Sequence, residues 1–258
     1  MNGFSMHAQR VTGGIKIEGN GFYGWRVKIG LLVVSTDLVC EPAFNKTVPP
    51  GVSIHTARMT FREATPEALL RMTSHIEKAA KDVGSAKVDL IVFGCTSGSF
   101  LKGNKSWNEE ITRRIEDAAK TPAITTTTAV VEALKKLGIK RVAVVTPYID
   151  AINMNGRKYL ENVGFKVLNI LGMQLTNPQR YQSVRPLEVY KFARTVDTSE
   201  ADGMFISCTA FRALEIAELL EKDIGKPVVT SNSASIWYAL RKVGIDDGIE
   251  GYGQLLRI

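Results

Sequence analysis

The stretch DLIVFGCT at 89–96 recurs later in the chain as DGMFISCT at 202–209. Each copy is followed by a helical pattern, then by a short strand that begins at a proline, and then by a turn rich in Ser and Thr. The helices after those turns end alike, in ALKKLGI and ALRKVGI. A repeat of this length predicts two similar lobes related by a pseudo-twofold axis, with a site in the cleft between them.

Short apolar runs alternate with amphipathic helices along the whole chain, as in VKIGLLVVS, NEEITRRIEDAAK and RVAVVTP. Such alternation is typical of parallel sheets whose two faces are covered by helices. We therefore predict an α/β fold of two pseudo-symmetric lobes, each a parallel sheet flanked by helices. The predicted parts are an N-terminal arm at 1–25, a first lobe at 26–127 and 233–258, and a second lobe at 128–232.

The composition is that of an ordinary globular protein, with 45% hydrophobic and 23% charged residues. The net charge is +7, but the Lys and Arg residues are scattered among acidic ones. We therefore expect no nucleic-acid partner, and a field that at most attracts a small anionic substrate. There is no run of about 18 apolar residues, so no membrane span is expected. The polar start lacks the apolar stretch of a signal peptide, and we expect a cytoplasmic protein.

Three cysteines and three histidines set the possible chemistry. An odd cysteine count without secretory features argues against a disulfide framework, and no histidine has metal-ligand spacing. Cys95 and Cys208 end equivalent strands, where the start of a helix lowers the pKa of a thiol. Facing lobes would place them on opposite sides of a substrate, as nucleophile, base or acid. Alternatively each is a small buried hydrophobe; Cys40 has no counterpart in the repeat and is interpreted as a bystander.

Hydroxyl side chains cluster at the same strand ends. Hydroxyl and backbone N–H groups can hold a carboxylate and stabilise an enediolate-like charge, although Ser and Thr are equally common as helix N-caps. The residues concerned are Thr96, Ser97, Ser99, Thr209 and the segments 125–128 and 230–233.

From about residue 28 to 258 the chain resembles the aspartate/glutamate racemase superfamily, in particular its maleate cis–trans isomerase and arylmalonate decarboxylase branches. The resemblance rests on GLLVVSTD, FGCTSGSF, TTTTAVVEALKKLGIKRVAVVTPYID, DGMFISCT, PVVTSNSASIW and GYGQLL. It implies a two-lobed α/β enzyme that needs no cofactor and no metal. It also implies that Cys95 and Cys208 are the two catalytic thiols. The substrate-binding residues that we predict are Asp37, Thr96, Ser97, Tyr148, Asn177, Thr209 and Asn232.

Arylmalonate decarboxylases keep one catalytic cysteine, equivalent to Cys208, so the presence of both favours an isomerase or a racemase. In the maleate isomerase interpretation, the Cys95 thiolate adds to the double bond and Cys208 supplies a proton. Asp37 departs from this pattern, because maleate isomerases carry Asn there and racemases carry Asp. It would be unfavourable beside a dianion unless it is protonated or faces an ammonium group; as an alternative, Asp37 caps a helix.

The leading hypothesis is therefore a two-cysteine isomerase for a small carboxylic acid, of either the maleate isomerase or the amino-acid racemase kind. Two alternatives remain: a decarboxylase that uses Cys208 alone, and a non-catalytic carboxylate-binding protein on the same fold. A redox pair is less favoured, because a substrate between the sulfurs would hold them beyond disulfide distance. A homodimer is expected.

Overall fold

The computed structural model describes residues 23–258, so 1–22 of the predicted N-terminal arm lie outside the described residues. The strands are β1 (Val27–Val34), β2 (Val52–Met59), β3 (Leu90–Gly94), β4 (Ala123–Thr125), β5 (Arg141–Thr146), β6 (Lys166–Gly172), β7 (Gly203–Ile206) and β8 (Val228–Thr230). The α-helices are α1 (Cys40–Thr47), α2 (Pro66–Met72), α3 (Ile76–Gly84), α4 (Thr96–Ser99), α5 (Lys105–Ala119), α6 (Thr126–Lys136), α7 (Asp150–Asn162), α8 (Pro186–Val196), α9 (Ala217–Ile224) and α10 (Ser231–Lys242).

The strands form two four-stranded sheets with the same order. The first sheet runs β2-β1-β3-β4 and the second β6-β5-β7-β8, and every pairing is parallel. Parallel neighbours need a crossover, which the helices between the strands supply. We call β1–β4 with their helices the first lobe, and β5–β8 with theirs the second lobe. The predicted α/β fold of two parallel sheets is confirmed.

The repeated aspartates lie at the opposite end of the sheets from the repeated cysteines. Asp89 accepts a hydrogen bond from the backbone N–H of Lys28 at 2.8 Å, and Asp202 accepts one from that of Arg141 at 2.8 Å. Each aspartate therefore joins the start of one central strand to its neighbour. The first residue of each repeat is therefore structural, and the Cys-Thr pair that ends each repeat lies at the opposite end of the sheet.

The central strands are apolar along their whole length because helices cover both faces of each sheet. All five residues of β3 and all four of β7 are buried. Ile29, Leu31 and Val92 are fully buried, and each such side chain contributes about 1.5–3 kcal/mol relative to an exposed one. In residues 23–258 no helix combines the length and the apolar character that crossing a membrane requires.

Helices α6 and α10 join the two lobes. Each begins directly after the last strand of its own sheet, and the two helices pack against each other. In their contact the Ser235 hydroxyl donates to Thr126 Oγ1 at 3.0 Å, and Thr126 donates to the Phe93 carbonyl of β3 at 3.1 Å. The lobe boundaries given from the sequence stay a prediction, since both helices lie where the lobes meet.

Candidate active site

The strand order decides where a ligand can bind. In the first sheet β1 is followed by β2 at one edge and β3 is followed by β4 at the other edge, and β5–β8 repeat this order in the second sheet. Such a reversal of strand order leaves a crevice at the carboxyl ends of the two central strands. Cys95 directly follows β3 and Asp37 lies three residues after β1. In the second lobe, Cys208 and Tyr148 each lie two residues beyond the ends of β7 and β5. Both lobes therefore direct their candidate residues to equivalent edges.

Hydrogen bonds across the lobes join the two Cys-Thr pairs. The Thr96 hydroxyl donates to Ser231 Oγ at 2.9 Å, and the same oxygen accepts the backbone N–H of Cys208 at 2.9 Å. In the other direction, the Thr209 hydroxyl donates to the carbonyl of Gly94, one residue before Cys95, at 3.2 Å. The structure therefore brings both cysteines to one interlobe cleft, in which both are buried.

Burial, with a smaller contribution from the charge of the nearby Asp37 carboxylate, raises the pKa of Cys95 to about 11. The backbone N–H of Gly98 and the Ser97 hydroxyl act in the opposite direction by stabilising the thiolate. The expectation that a helix start lowers the pKa of this thiol is therefore wrong for the free site. Helix α4 after Cys95 has four residues, too few for a strong dipole, and desolvation outweighs it.

The pKa of Cys208 is raised more strongly, first by burial and then by the charge of Asp37. The Tyr148 hydroxyl and the backbone N–H of Ala210 stabilise its thiolate in part. Its backbone adopts a positive φ of 97°, which a residue with a Cβ rarely adopts. Strained backbone of this kind persists where the surroundings impose it, often at functional sites. The two thiols of the repeat are thus chemically different.

Aromatic side chains form one wall of the cleft. Tyr148 is buried and meets Phe100 edge to face, with ring centroids 6.3 Å apart. On its other side it meets Tyr181 at 5.8 Å. Burial and the charge of Cys208 both raise the pKa of each tyrosine, so both hydroxyls stay protonated. The Tyr181 hydroxyl donates to the Leu175 carbonyl at 3.3 Å.

Asp37 is fully buried, and its two carboxyl oxygens have different surroundings. Oδ1 accepts the backbone N–H groups of Val39 at 2.8 Å and Cys40 at 2.9 Å, next to the start of α1, whose N-cap residue is Val39. Oδ2 has no hydrogen-bond partner within residues 23–258. Burial raises the pKa of Asp37, while the two N–H groups, Thr209 and Arg58 lower it.

The other predicted binding residues divide into two groups. Thr96, Ser97 and Thr209 lie beside the cysteines, and the Ser97 hydroxyl faces the Cys95 thiol. Asn232 lies behind them, where its Nδ2 donates to the Thr209 carbonyl at 2.9 Å and its Oδ1 is buried without a partner in the described chain. Asn232 therefore holds Thr209 in place.

Asn177 is not brought together with the cysteines. It is exposed, and its side chain accepts the backbone N–H of Gln179 at 2.9 Å at the start of a 3₁₀ turn. The loop that carries it reaches the first lobe, because Gln182 Oε1 accepts the backbone N–H of Leu38 at 2.9 Å. A substrate contact of Asn177 stays a prediction, and the structure supplies no contact that supports it.

Within residues 23–258, no three His, Cys, Asp or Glu side chains are grouped so that they could hold a metal ion. The donor atoms of the cleft are thiols, hydroxyls and one carboxyl group. This set suits proton transfer and nucleophilic addition at a small organic acid.

A family model described as arylmalonate decarboxylase matches residues 29–256. The chain belongs to the arylmalonate decarboxylase family. A maleate isomerase of Nocardia farcinica is 28% identical over 244 residues, which cover 89% of this chain and 95% of that protein. An arylmalonate decarboxylase of Bordetella bronchiseptica is 29% identical over 224 residues, which cover 83% and 90% of the two chains. The family thus includes relatives named for two different reactions.

Solved structures confirm the fold of this family member. The maleate isomerase Iso from Pseudomonas putida superposes with a TM-score of 0.84 at 25% identity, covering 90% of this chain and 98% of that chain. A mutant arylmalonate decarboxylase in a liganded form superposes with a TM-score of 0.83 at 25% identity, covering 89% and 98%.

Sequence reasoning missed Tyr181 and did not distinguish Ser231 from the other hydroxyl residues of segment 230–233. Tyr181 is buried against Tyr148 and lies close enough to both thiols for their charge to raise its pKa, but it follows no predicted strand. Ser231 was one of many hydroxyl residues at strand ends, and nothing in its spacing distinguished it. Ser231 joins Thr96 to Cys208 by hydrogen bonds that form only when the two lobes are in contact.

Proposed function

We propose that this protein is a maleate isomerase, which converts the cis diacid maleate to its trans isomer fumarate with two cysteines and no cofactor. The observation that carries the proposal is the interlobe cleft, where both repeats supply a cysteine and a hydroxyl residue to one place. The relatives named as maleate isomerases support it, because they match over nearly their whole length. A structure of a mutant of the Nocardia enzyme holds a covalently bound succinylcysteine intermediate, which supports cysteine addition by analogy with that relative.

The proposed reaction is a reversible addition. The Cys95 thiolate attacks one alkene carbon and forms a carbon–sulfur bond, while the π electrons take a proton from the Cys208 thiol at the other carbon. The former double bond is now single and rotates by half a turn. The Cys208 thiolate then removes the proton, the double bond forms again, and the sulfur leaves with its electron pair as the Cys95 thiolate.

The structure favours Cys95 as the nucleophile. Its pKa of about 11 is lower than that of Cys208, so its thiolate forms at the smaller energetic penalty. Gly98 N–H and the Ser97 hydroxyl stabilise that thiolate. Cys208, held protonated mainly by burial, is suited to the role of proton donor.

Hydrogen bonds within the protein limit which groups hold the substrate carboxylates. The hydroxyl hydrogens of Thr96 and Thr209 are directed to Ser231 and to the Gly94 carbonyl. We propose that Ser97 and Tyr148, whose hydroxyls face the two thiols, donate to the substrate.

The deciding experiment is proton NMR in D2O with maleate, aspartate, glutamate and phenylmalonate. We expect loss of the maleate signal and growth of fumarate. Cys95→Ser and Cys208→Ser should each abolish conversion, while Cys40→Ala, which changes the buried cysteine outside the repeat, should retain it. Full activity in either serine variant would refute the two-cysteine mechanism.

Other outcomes of the same panel identify the alternatives. Deuterium entering the α-position of an amino acid would identify a racemase. Decarboxylation of phenylmalonate that survives Cys95→Gly would identify a decarboxylase that uses Cys208. Thermal stabilisation by the acids without any conversion would identify a binding protein.

A further inference from the structure

The unpartnered oxygen of Asp37 is the feature of the cleft that the proposed reaction does not use. Asp37 is 0% exposed, and both lone pairs of Oδ1 are used by the N–H groups of Val39 and Cys40. The Thr209 hydroxyl lies near the carboxyl group, but its hydrogen is directed to the Gly94 carbonyl at 3.2 Å. Oδ2 therefore receives no hydrogen bond from the described residues.

This asymmetry matches a neutral carboxylic acid better than a carboxylate. In the neutral form Oδ1 is a carbonyl oxygen that accepts two hydrogen bonds, and Oδ2 is a hydroxyl group that needs an acceptor. In the ionised form Oδ2 carries part of a negative charge in a buried place without a donor, which is strongly unfavourable. Burial accordingly raises the pKa of Asp37.

Few charged groups face Asp37 from the surrounding elements. The Arg58 guanidinium of β2 donates to the backbone carbonyl of Asp37 at 2.8 Å and binds the Glu41 carboxylate at 2.6 Å, so it does not pair with the buried carboxyl group. The thiols of Cys40, Cys95 and Cys208 are near enough for the charge of Asp37 to raise the pKa of each. An ionised Asp37 would thus oppose both the thiolate and an anionic ligand in the same cleft.

We propose that Asp37 is protonated in the ligand-bound protein and donates its Oδ2 hydrogen to a carboxylate of the bound dicarboxylic acid. The inference rests on the proposed function, because it takes a dicarboxylate as the ligand. Asp37 then acts as a specificity-determining residue. It selects a second carboxylate, which accepts a hydrogen bond, against an ammonium group, which would need the ionised form of the same residue.

The test uses succinate, a saturated dicarboxylate that cannot isomerise, and infrared spectroscopy of its complex at pH 7. We expect a carbonyl stretch from a protonated carboxyl group, shifted in D2O and absent from the Asp37→Asn complex. The Asn side chain can accept the same two N–H groups and still donate to the ligand, so succinate affinity in calorimetry should stay within about threefold of wild type. Glu41→Gln, which changes a neighbouring half-buried carboxylate, should keep the band.

Two further measurements test whether loss of the band in Asp37→Asn comes from the missing carboxyl group and not from unfolding. Thermal unfolding establishes that Asp37→Asn is folded, and Asp37→Ser, which keeps an acceptor at the start of α1, should also lose the band. Absence of the band in wild type, or failure of wild type to bind succinate, would overturn the proposal. So would tighter binding of aspartate than succinate, if that preference is lost in Asp37→Asn.

The infrared and calorimetric measurements need no turnover. A band without maleate conversion would therefore refute the proposed function alone, and conversion without a band would refute this inference alone.

Discussion

At the scale of single residues, the two cysteines of the repeat differ in backbone conformation. Cys95 has a φ of −145°, in the extended region that any residue adopts, whereas Cys208 has a φ of 97°. A side chain at positive φ carries a conformational penalty of about 1–3 kcal/mol that glycine avoids. The protein therefore holds Cys208 against its own backbone preference, which keeps the thiol pointing into a cleft defined by both lobes.

This difference predicts opposite effects of glycine at the two positions. Cys208→Gly should be more stable than Cys208→Ala by about 1 kcal/mol, because glycine relieves the positive φ. At the matched position, Cys95→Gly should be less stable than Cys95→Ala by about 0.5–1 kcal/mol, because glycine gains freedom in the unfolded chain. Urea unfolding of the four variants measures both differences. Equal signs at the two positions would contradict the strain at Cys208.

The raised pKa of Cys95 predicts how its reactivity depends on pH. Below a pKa of about 11, the thiolate fraction rises about tenfold per pH unit, and the thiolate is the reactive form. The rate of iodoacetamide labelling of the free protein should therefore increase continuously from pH 7 to pH 9. The labelling with this pH dependence should disappear in Cys95→Ser and persist in Cys40→Ala. A plateau within this range would show that the thiol is already ionised.

At the scale of secondary-structure elements, the start of α10 positions the chemistry of both lobes. Ser231 is the first residue of this helix, and its hydroxyl oxygen accepts from Thr96 in the first lobe and from the backbone of Cys208 in the second. Ser233, two residues further along the helix, instead closes the capping box with Thr230. Of these two buried serines, Ser231 makes contacts to both lobes, whereas Ser233 makes only the local contact that caps its own helix.

Alanine substitutions of Ser231 and Ser233 should therefore have similar effects on stability but different effects on activity. Ser231→Ala leaves the backbone N–H of Cys208 without its acceptor, which should cost about 1–3 kcal/mol and shift the thiol. We expect kcat for maleate to fall at least about tenfold, with a smaller change in KM, because misplacement affects the reacting groups more than binding. Ser233→Ala should lose similar stability but keep kcat. If both variants lose kcat in proportion to stability, Ser231 is not a positioning residue.

At the scale of the whole molecule, the two lobes form one packed unit. Helices α6 and α10 arise from different sheets and pack against each other, and their Ser235–Thr126 hydrogen bond is buried. Since Thr126 also donates to Phe93 of β3, the contact connects the second sheet to the first through hydrogen-bonded side chains. If either lobe unfolds, the helix face that it covers on the other lobe becomes exposed to solvent.

The packing predicts a single unfolding transition. Urea curves from far-UV circular dichroism and from tryptophan fluorescence should coincide. The fluorescence reports on Trp25 before β1, Trp107 in the first lobe and Trp237 in α10. Ser235→Ala should shift both curves together by about 1 kcal/mol, because it removes a buried hydrogen bond between the helices. Two separated transitions would show that the lobes unfold independently.

Local sequence patterns were sufficient for some site residues and insufficient for others. Cys95, Thr96, Cys208 and Thr209 could be placed from the repeat, because a residue directly after a buried parallel strand must lie at its carboxyl end. Asn177 and Tyr181 could not, because they lie on a loop whose course depends on contacts with the other lobe.

The sequence by itself determined the two-lobed α/β fold and the equivalence of the two cysteines, because hydrophobic periodicity and an internal repeat are properties of the chain alone. The tertiary structure alone decided the difference between the thiols, the unpartnered oxygen of Asp37 and the contacts of Ser231. Those properties depend on desolvation and on hydrogen bonds between segments more than 100 residues apart, such as Thr96 and Ser231. No local pattern encodes them, since they arise only when the two lobes close on each other.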